Sequence, residues 1–303
     1  MCGLCGEVRY DGGPVEADGV VAMRDQMPHR GPDASGLYVS PSARAGLGFR
    51  RLKIVDLSDV ANQPMPNEDG TVQVVFNGEI YNFQGLRDDL LARGHRFRSR
   101  SDTEVIAHLY ESFGPEGIEQ LDGMFAIAIW DERERRLVLA RDRTGKKPLY
   151  YLQRQGRIAF ASEMKAFFAR PEFGVSIDPD AIPYYFLHGY VPCPNTFYRD
   201  VRQVEPGTVM TFDQTGASTA RTFWSLQYPK AADRQPAPDR REVISTLRGL
   251  MTKAVERRLV SDVPLGAFLS GGVDSTIVVG LMSQLMSEPV KTFSIGFKDS
   301  RIG

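Results

Sequence analysis

Met1-Cys2-Gly3-Leu4-Cys5-Gly6-Glu7-Val8-Arg9-Tyr10 opens the chain, and its second residue decides how the rest is read. Cysteine has a small side chain, the kind that lets methionine aminopeptidases remove a preceding Met. Removal of Met1 would leave Cys2 with both a thiol and a free α-amine. Such an amine has an ordinary pKa of roughly 8, so part of it is neutral near pH 7 and can act as a base. A thiol beside its own base is an activated nucleophile, by the same logic as a threonine paired with its N-terminal amine. Position alone favours the plainer reading, a small residue that happens to follow Met1. The remainder of the chain reverses it.

The 303 residues suffice for about two domains with separate cores. With 37 basic and 38 acidic residues there is no global attraction to nucleic acid or to an anionic membrane. No apolar run approaches the roughly 18 residues of a membrane span. The N-terminus lacks the basic and apolar regions of a secretory signal, so the expected location is the cytoplasm, where thiols stay reduced. Three cysteines, Cys2, Cys5 and Cys193, are too few for a disulfide framework. Cys2 and Cys5 form a C-x-x-C, yet neither the strand-to-helix context of a redox pair nor two further zinc ligands accompany it. Cys5 reads as a small buried strand residue. The 4 histidines show no metal-ligand spacing, and no zinc site is expected.

Residues 1 to about 215 read as strand-rich. Candidate strands are Gly3–Tyr10, Leu52–Asp56, Val72–Asn77, Phe125–Trp130, Arg136–Ala140, Leu149–Leu152 and Arg157–Ala161. The continuous apolar run Phe125–Trp130 is what a strand covered on both faces requires. Two helices lie among them. One spans Phe83–Arg93 and stops at Gly94; the other begins with the capping box Ser101-Asp102-Thr103-Glu104. Strands in two layers with helices outside make an αββα sandwich. Residues 216–240 read as a linker, with Gln227–Arg240 rich in proline and charge. Beyond it come an amphipathic helix (Arg241–Val260), a strand (Leu265–Leu269), a Gly-rich turn (Ser270–Ser275), a helix (Thr276–Met286) and a strand (Val290–Phe297). That is one β-α-β unit opening a parallel α/β sheet. Two parallel strands cannot cover both of their faces, so residues 241–303 are expected to be an incomplete domain, ending at Ser300-Arg301-Ile302-Gly303.

Ser270-Gly271-Gly272-Val273-Asp274-Ser275 sits between strand and helix. Adjacent glycines let the backbone approach an anion, and the helix N-terminus offers free N–H groups. The lysine of a Walker A loop is missing. The hexapeptide instead matches the PP-loop of enzymes that split ATP into AMP and pyrophosphate.

Together with Cys2, this loop makes the chain resemble the glutamine-dependent asparagine synthetases. The resemblance runs through His29-Arg30-Gly31-Pro32-Asp33, Arg51-Leu52-Lys53-Ile54-Val55-Asp56, Phe76-Asn77-Gly78-Glu79-Ile80-Tyr81-Asn82, Ser101–Glu104, Leu121–Phe125, Ala140–Tyr151 and Phe160–Lys165, in family order. It implies an αββα Ntn-hydrolase glutaminase domain over residues 2–215, then the start of a PP-loop ATP pyrophosphatase domain over 241–303. The implied reaction is hydrolysis of glutamine to glutamate and ammonia, the ammonia passing through an interdomain tunnel to ATP-activated aspartate. The products would be asparagine, AMP and pyrophosphate, and the incomplete chain would retain at most the glutaminase half.

Position by position, the resemblance makes Cys2 the nucleophile and Asn77 (side-chain amide) and Gly78 (backbone N–H) the oxyanion donors. On their own, Asn77-Gly78 read as a hairpin turn. Arg51 matches a clamp for the glutamine carboxylate, within a glutamine-binding stretch that includes Leu52, Lys53, Ile54 and Val55. Glu79 and Asp102 match the residues facing the ammonium. Without the resemblance, Arg51 reads as a solvated strand residue and Asp102 as a first-turn helix acid. His29 reads as structural in a rigid loop, since the α-amine already supplies the base. ATP would lie against Leu269, Ser270, Gly271, Gly272, Asp274, Ser275 and Ile295, with Asp274 a ligand for Mg2+. Met124 falls at a tunnel-lining position, although an apolar strand residue is ordinarily core. Thr144 and Lys146 depart from the usual family residues. The resemblance also suggests a homodimer. Rival readings keep the glutaminase but change the acceptor to a peptide, envelope precursor or secondary metabolite, or make the chain an inactive subunit. The PP-loop argues against a sugar-phosphate acceptor.

Overall fold

The structure, a computed structural model, describes residues 1–230 and 238–296. The central part of the expected linker, Phe297 of the last expected strand, and Ser300–Gly303 lie outside the described residues. The chain divides into two units, Met1–Leu226 and Gln227–Gly303.

Twelve strands of the first unit form two antiparallel six-stranded sheets. In chain order they are β1 (Gly3–Arg9), β2 (Ala34–Val39), β3 (Ala45–Arg51), β4 (Met65–Pro66), β5 (Val72–Ile80) and β6 (Gly123–Asp131). Then follow β7 (Arg136–Arg141), β8 (Tyr150–Arg154), β9 (Arg157–Ala161), β10 (Val201–Gln203), β11 (Thr208–Phe212) and β12 (Ser218–Thr222). One sheet has the order β10-β8-β9-β1-β3-β2, the other β12-β11-β7-β6-β5-β4.

Strand alternation assigns each apolar residue to a layer. On β6, Ala126, Ala128 and Trp130 join Leu4 and Val8 of β1, Phe49 of β3 and Phe160 of β9 in the core between the sheets. The intervening Phe125, Ile127 and Ile129 face the other way, against Val105, Ile106 and Leu109 of helix α3 (Asp102–Phe113), which packs with α2 (Phe83–Ala92). The outer face of the first sheet is covered by α1 (Ala17–Arg24) and α4 (Lys165–Phe168), through Val20, Met23 and Phe167. A further helix, α5 (Ala181–His188), carries exposed Tyr184, Phe186 and Leu187. The four layers are therefore helix, sheet, sheet, helix, and the unbroken apolar run of β6 follows from having a core on each side.

The same alternation separates the two N-terminal cysteines. Cys2 packs toward the inter-sheet core, while Cys5 packs against α1 on the opposite face, its thiol near the Val20 carbonyl at 3.8 Å. Burial pushes the Cys5 thiol up to about 12. A spacing of three along a strand cannot bring both sulfurs to one site, and all three cysteines are free.

Two expectations shift. Leu52–Asp56 is loop, and the strand precedes it at Ala45–Arg51, because Arg51 turns its guanidinium onto the carbonyls that follow. Residues 218–222 lie inside the expected linker yet form β12, paired with β11 from Thr208↔Thr222 to Phe212↔Ser218, so the first unit extends past 215.

The second unit holds α6 (Arg240–Glu256), β13 (Gly266–Phe268), α7 (Val273–Leu285) and β14 (Lys291–Phe293). Asp239 caps α6 by accepting from the Arg241 and Glu242 N–H groups. β13 and β14 pair in parallel, the expected β-α-β unit. Its small core centres on Val255, Leu281 and Met282, while Phe268, Phe293 and Ile295 are exposed.

Candidate active site

The site begins with an incomplete sheet edge. β6 pairs with β5 along its length, from Val72↔Asp131 to Ile80↔Gly123, whereas β4 covers only Gln73 and Val74 on the other side. Past that point, side chains supply the rungs. Gln63 Oε1 accepts the Phe76 N–H at 2.6 Å, and Gln63 Nε2 donates to the Phe76 carbonyl at 3.2 Å. Asp102 Oδ2 accepts the Ile80 N–H at 2.9 Å. Backbone N–H groups two apart point the same way, so the Gly78 N–H, midway between Phe76 and Ile80, faces the same side. Gly78 must be glycine for packing reasons as well. A Cβ there would meet the Met124 carbonyl and lie 2.9 Å from Phe125 Cα on β6.

Beside this edge lies a cavity of about 80 Å3 lined by Cys2, Leu52, Asn77, Gly78, Glu79, Asp102 and their neighbours. Leu52 holds the thiol, its N–H donating to Cys2 Sγ at 3.4 Å and its carbonyl lying 3.6 Å from that sulfur. Burial pushes the Cys2 thiol up, opposed by the Leu52 N–H and by the positive charges of the N-terminus and Arg51. Asn77 is buried, and its Nδ2 is a donor with no hydrogen-bond partner among the described residues. A buried donor left unmatched is costly and needs a reason. Here Asn77 belongs to the cavity wall beside the thiol.

Arg51 is buried and closes a ring of acceptors: Nη1 donates to Ser58 O and Asn62 Oδ1, both at 2.8 Å, and Nη2 to Val55 O and Asp56 O. It thereby holds the loop that gives Leu52, Ile54 and Val55 to the cavity wall. Lys53 does not line the cavity; its ammonium pairs with Asp59 at 2.8 Å and its N–H bonds Asp33. Asp102 sits on the first turn of α3, where burial pushes its carboxyl up to about 6, with the charge of Glu79 adding to that rise. The capping box is only half made. Ser101 Oγ accepts the Thr103 N–H, but Glu104 turns away to bond the Arg98 and Ser99 N–H groups.

Several wall residues escaped sequence reasoning. Gln63, Ser101, Thr103 and Lys147 all line the cavity. Burial lowers the pKa of Lys147, while Glu79 and Cys2 act in the other direction. The loop bearing it is organised by Asp142, which accepts from the Thr144, Lys146 and Lys147 N–H groups and the Thr144 hydroxyl. Thr144 thus adds a bond that an apolar residue would not. Arg30 bonds the Cys2 carbonyl at 2.8 Å and Glu163 at 2.9 Å, and His29 pairs with the same Glu163 at 3.0 Å, as a structural loop residue would. Met124 is partly buried on β6, opposite Glu79.

In the second unit, Gly271 has φ of 81°, a left-handed conformation that favours glycine, and Gly272 caps α7. Ser270 and Ser275 hydroxyls meet at 3.0 Å across the turn, and Leu269 bonds Phe293 of β14 at 2.8 Å. Asp274 lies on the exposed first turn of α7, and Ile295 is exposed beyond β14.

A thiol just before the first strand, in one cavity wall with an unmatched amide donor and an incomplete strand edge of an αββα sandwich, is the arrangement of the Ntn-type glutamine amidotransferase class. Solved structures share the fold. The chain is similar to the glutamine phosphoribosylpyrophosphate amidotransferase structure from B. subtilis, with a TM-score of 0.54 at 17% identity, covering 100% of this chain and 67% of that one. A second similar structure, described as the allosteric regulatory enzyme of purine biosynthesis, gives a TM-score of 0.55 at 16% identity, with the same coverages of 100% and 67%. By its residues 1–224 the chain belongs to the glutamine amidotransferase domain family, and residues 246–302 match the asparagine synthase family. It is 36% identical to asparagine synthetase [glutamine-hydrolyzing] 1 of Bacillus subtilis, over 98% of this chain and 46% of the relative. It is also 35% identical to the amidase chry2 of Gibberella zeae, over 96% of this chain and 44% of the relative. The chain spans about half the length of these curated relatives. No helix among the described residues is long and apolar enough to cross a membrane.

Proposed function

We propose that this chain hydrolyses glutamine with Cys2 as nucleophile. The observation that carries the reading is the unpartnered Asn77 Nδ2 in the wall of the cavity that holds Cys2. With Met1 in place the nitrogen of Cys2 is an amide and has no basicity, so the proposal includes removal of Met1. The freed amine takes the thiol proton while sulfur attacks the side-chain carbonyl carbon of glutamine. The oxyanion is met by Asn77 Nδ2 and the Gly78 N–H, preorganised donors of the kind that stabilise a tetrahedral intermediate. Collapse expels ammonia, which takes up that proton, and leaves a γ-glutamyl thioester. Water adds to the thioester through the same oxyanion site, releasing glutamate and restoring the thiol.

Asp102 and Glu79 supply negative charge for the substrate ammonium. Arg51 supplies positive charge for the carboxylate, but its terminal N–H groups are already spent on Ser58, Asn62, Val55 and Asp56. A bidentate clamp would therefore require substrate to displace some of these acceptors.

For the longer protein, we propose that the ammonia amidates an ATP-activated carboxylate, with aspartate the leading acceptor and asparagine, AMP and pyrophosphate the products. The open backbone at Gly271, where an added Cβ would meet nothing within 4 Å, suits a close phosphate contact, with Ser270, Gly272 and Ser275 as donors and Asp274 for Mg2+. ATP would supply the activation of the carboxylate. The amidases at similar identity favour a second reading in which the acceptor is not aspartate. A cytoplasmic homodimer, tested by light scattering and fractionation, completes the proposal.

The test is glutamate release from glutamine by the purified chain and by Cys2→Ala, with Met1 removal checked by mass spectrometry. Activity confined to the parent supports the reading; a folded, processed parent that releases no glutamate above the variant refutes it for this chain.

A further inference from the structure

Away from the Cys2 cavity, four side chains from three separate segments converge. Glu68 follows β4, His95 follows α2, and His108 and Glu111 lie one turn apart on α3. One donor atom from each lies within 4.8 Å of all the others. His95 Nδ1 is 3.1 Å from Glu68 Oε1, and His108 Nδ1 is 3.1 Å from Glu68 Oε2. Both Nδ1 atoms are 3.6 Å from Glu111 Oε2.

We propose that this cluster is a binding site for a divalent transition metal ion, with Zn2+ the ion its donors suit. Metal–ligand bonds of roughly 2.0–2.2 Å in a tetrahedron give edges of about 3.3–3.6 Å. The 3.6 Å separations of both Nδ1 atoms from Glu111 Oε2 fall in that range, while Glu68 meets the two histidines at 3.1 Å through its two different oxygens. The widest separation narrows on binding. Two imidazoles and two carboxylates are a donor set for this class of ion rather than for Mg2+ or Ca2+.

A second observation points inward independently of the spacing. His108 is 1% exposed, and neither of its ring nitrogens makes a hydrogen bond among the described residues. Glu68 Oε2 and Glu111 Oε2 are likewise buried without one. Three unsatisfied polar atoms, His108 Nδ1, Glu68 Oε2 and Glu111 Oε2, therefore meet from two segments, and His95 joins them from a third.

The surroundings hold the donors in place. His95 Nε2 lies 2.7 Å from Ser112 Oγ; donating there leaves its Nδ1 lone pair for an ion. His108 Nε2 faces Glu104 Oε1 at 3.8 Å. Asn67 Nδ2 donates to Glu111 Oε1 at 3.1 Å, and the Arg96 N–H donates to Glu68 Oε1 at 3.0 Å. Such outer partners orient metal ligands and fix histidine tautomers. Two carboxylates and two imidazoles are thus gathered in a largely buried place, where one divalent cation would satisfy all four. Glu111, 24% exposed, leaves a way in.

The cluster escaped sequence reading because His95 and His108 sit on different elements. No short ligand motif joins them, and the fold alone brings them together.

The experiment is a Zn2+ titration of the chelator-stripped chain by calorimetry, in the Cys2→Ala background so that the reactive thiol does not compete. One equivalent of Zn2+ is expected, with a rise in Tm. His95→Gln and Glu111→Gln should each weaken binding by more than about 100-fold and abolish the Tm rise while keeping the metal-free Tm of the parent. Glu111→Gln is nearly isosteric at a partly exposed position, so it separates ligand loss from misfolding. No stoichiometric Zn2+ binding by a folded chain, as for side chains that merely share protons, would overturn the proposal. So would binding that both variants leave unchanged.

Discussion

Asp102 Oδ2 accepts the Ile80 N–H at 2.9 Å, so the first residue of α3 completes a rung of β5 that no neighbouring strand supplies. The bond ties the carboxylate to the strand that carries Asn77 and Gly78. Its position on the cavity wall costs the group solvation, which is why its carboxyl titrates near 6 rather than in the ordinary range.

That cost fixes the sign of a pH effect. A raised carboxyl pKa means the folded state disfavours the anion, so stability falls as pH rises from about 4 to about 6. A shift of this size corresponds to an upper limit of about 3 kcal/mol. Asp102→Asn removes the charge and keeps an acceptor for Ile80. We expect a higher Tm than the parent at pH 7 and a vanishing difference below pH 4, followed by thermal melts across that range. The same variant should raise KM for glutamine at least about tenfold. In the parent, KM should rise as pH falls through 6.

Asn77→Ala separates the oxyanion role from packing. Nδ2 has no partner among the described residues to orphan, so the variant should melt within a few degrees of the parent. Its kcat for glutamine hydrolysis should fall by about 10²–10³, the usual consequence of losing one oxyanion donor, with KM little changed. A fall in Tm without a fall in kcat would point to a scaffolding role instead.

Gly78→Ala places a methyl group against the Met124 carbonyl and Phe125 Cα, atoms of backbone that cannot swing aside. Forcing β5 and β6 apart should cost on the order of 1–3 kcal/mol or more and abolish hydrolysis. Chemical denaturation alongside the activity assay checks both.

Arg51→Lys keeps the charge but cannot reach four acceptors at once. The loop of residues 52–61 should become the first site of limited proteolysis, and glutamine should protect the parent more than the variant. Equal cleavage of both proteins in the absence of substrate would remove the loop-holding role.

Much of this was legible in the sequence, for identifiable reasons. The run Phe125–Trp130 showed a strand with two cores because each face of β6 has one. Cys2, Asn77, Gly78 and Asp102 were legible as a motif set, and the fold brings all four to one cavity. Leu52–Asp56 misled because Ile54 and Val55 favour strands locally, whereas a long-range fact, the bonding of Arg51 to the loop carbonyls, decides the conformation. Gln63 and Lys147 were missed because their relation to the cavity is purely spatial. Gln63 stands in for a strand neighbour of Phe76, and Lys147 arrives on a loop that Asp142 organises. Residues 218–222 carry few apolar side chains, so β12 announces itself only by its pairing with β11.

The edge of β5 between Phe76 and Ile80 has one further consequence. An unpaired strand edge ordinarily recruits extended peptides, which add to it as another strand. Here Gln63 and Asp102 block the positions on either side of Gly78, which lines a cavity of about 80 Å3. The main-chain pairing of the sheet thus keeps an extended peptide from joining this edge as a further strand.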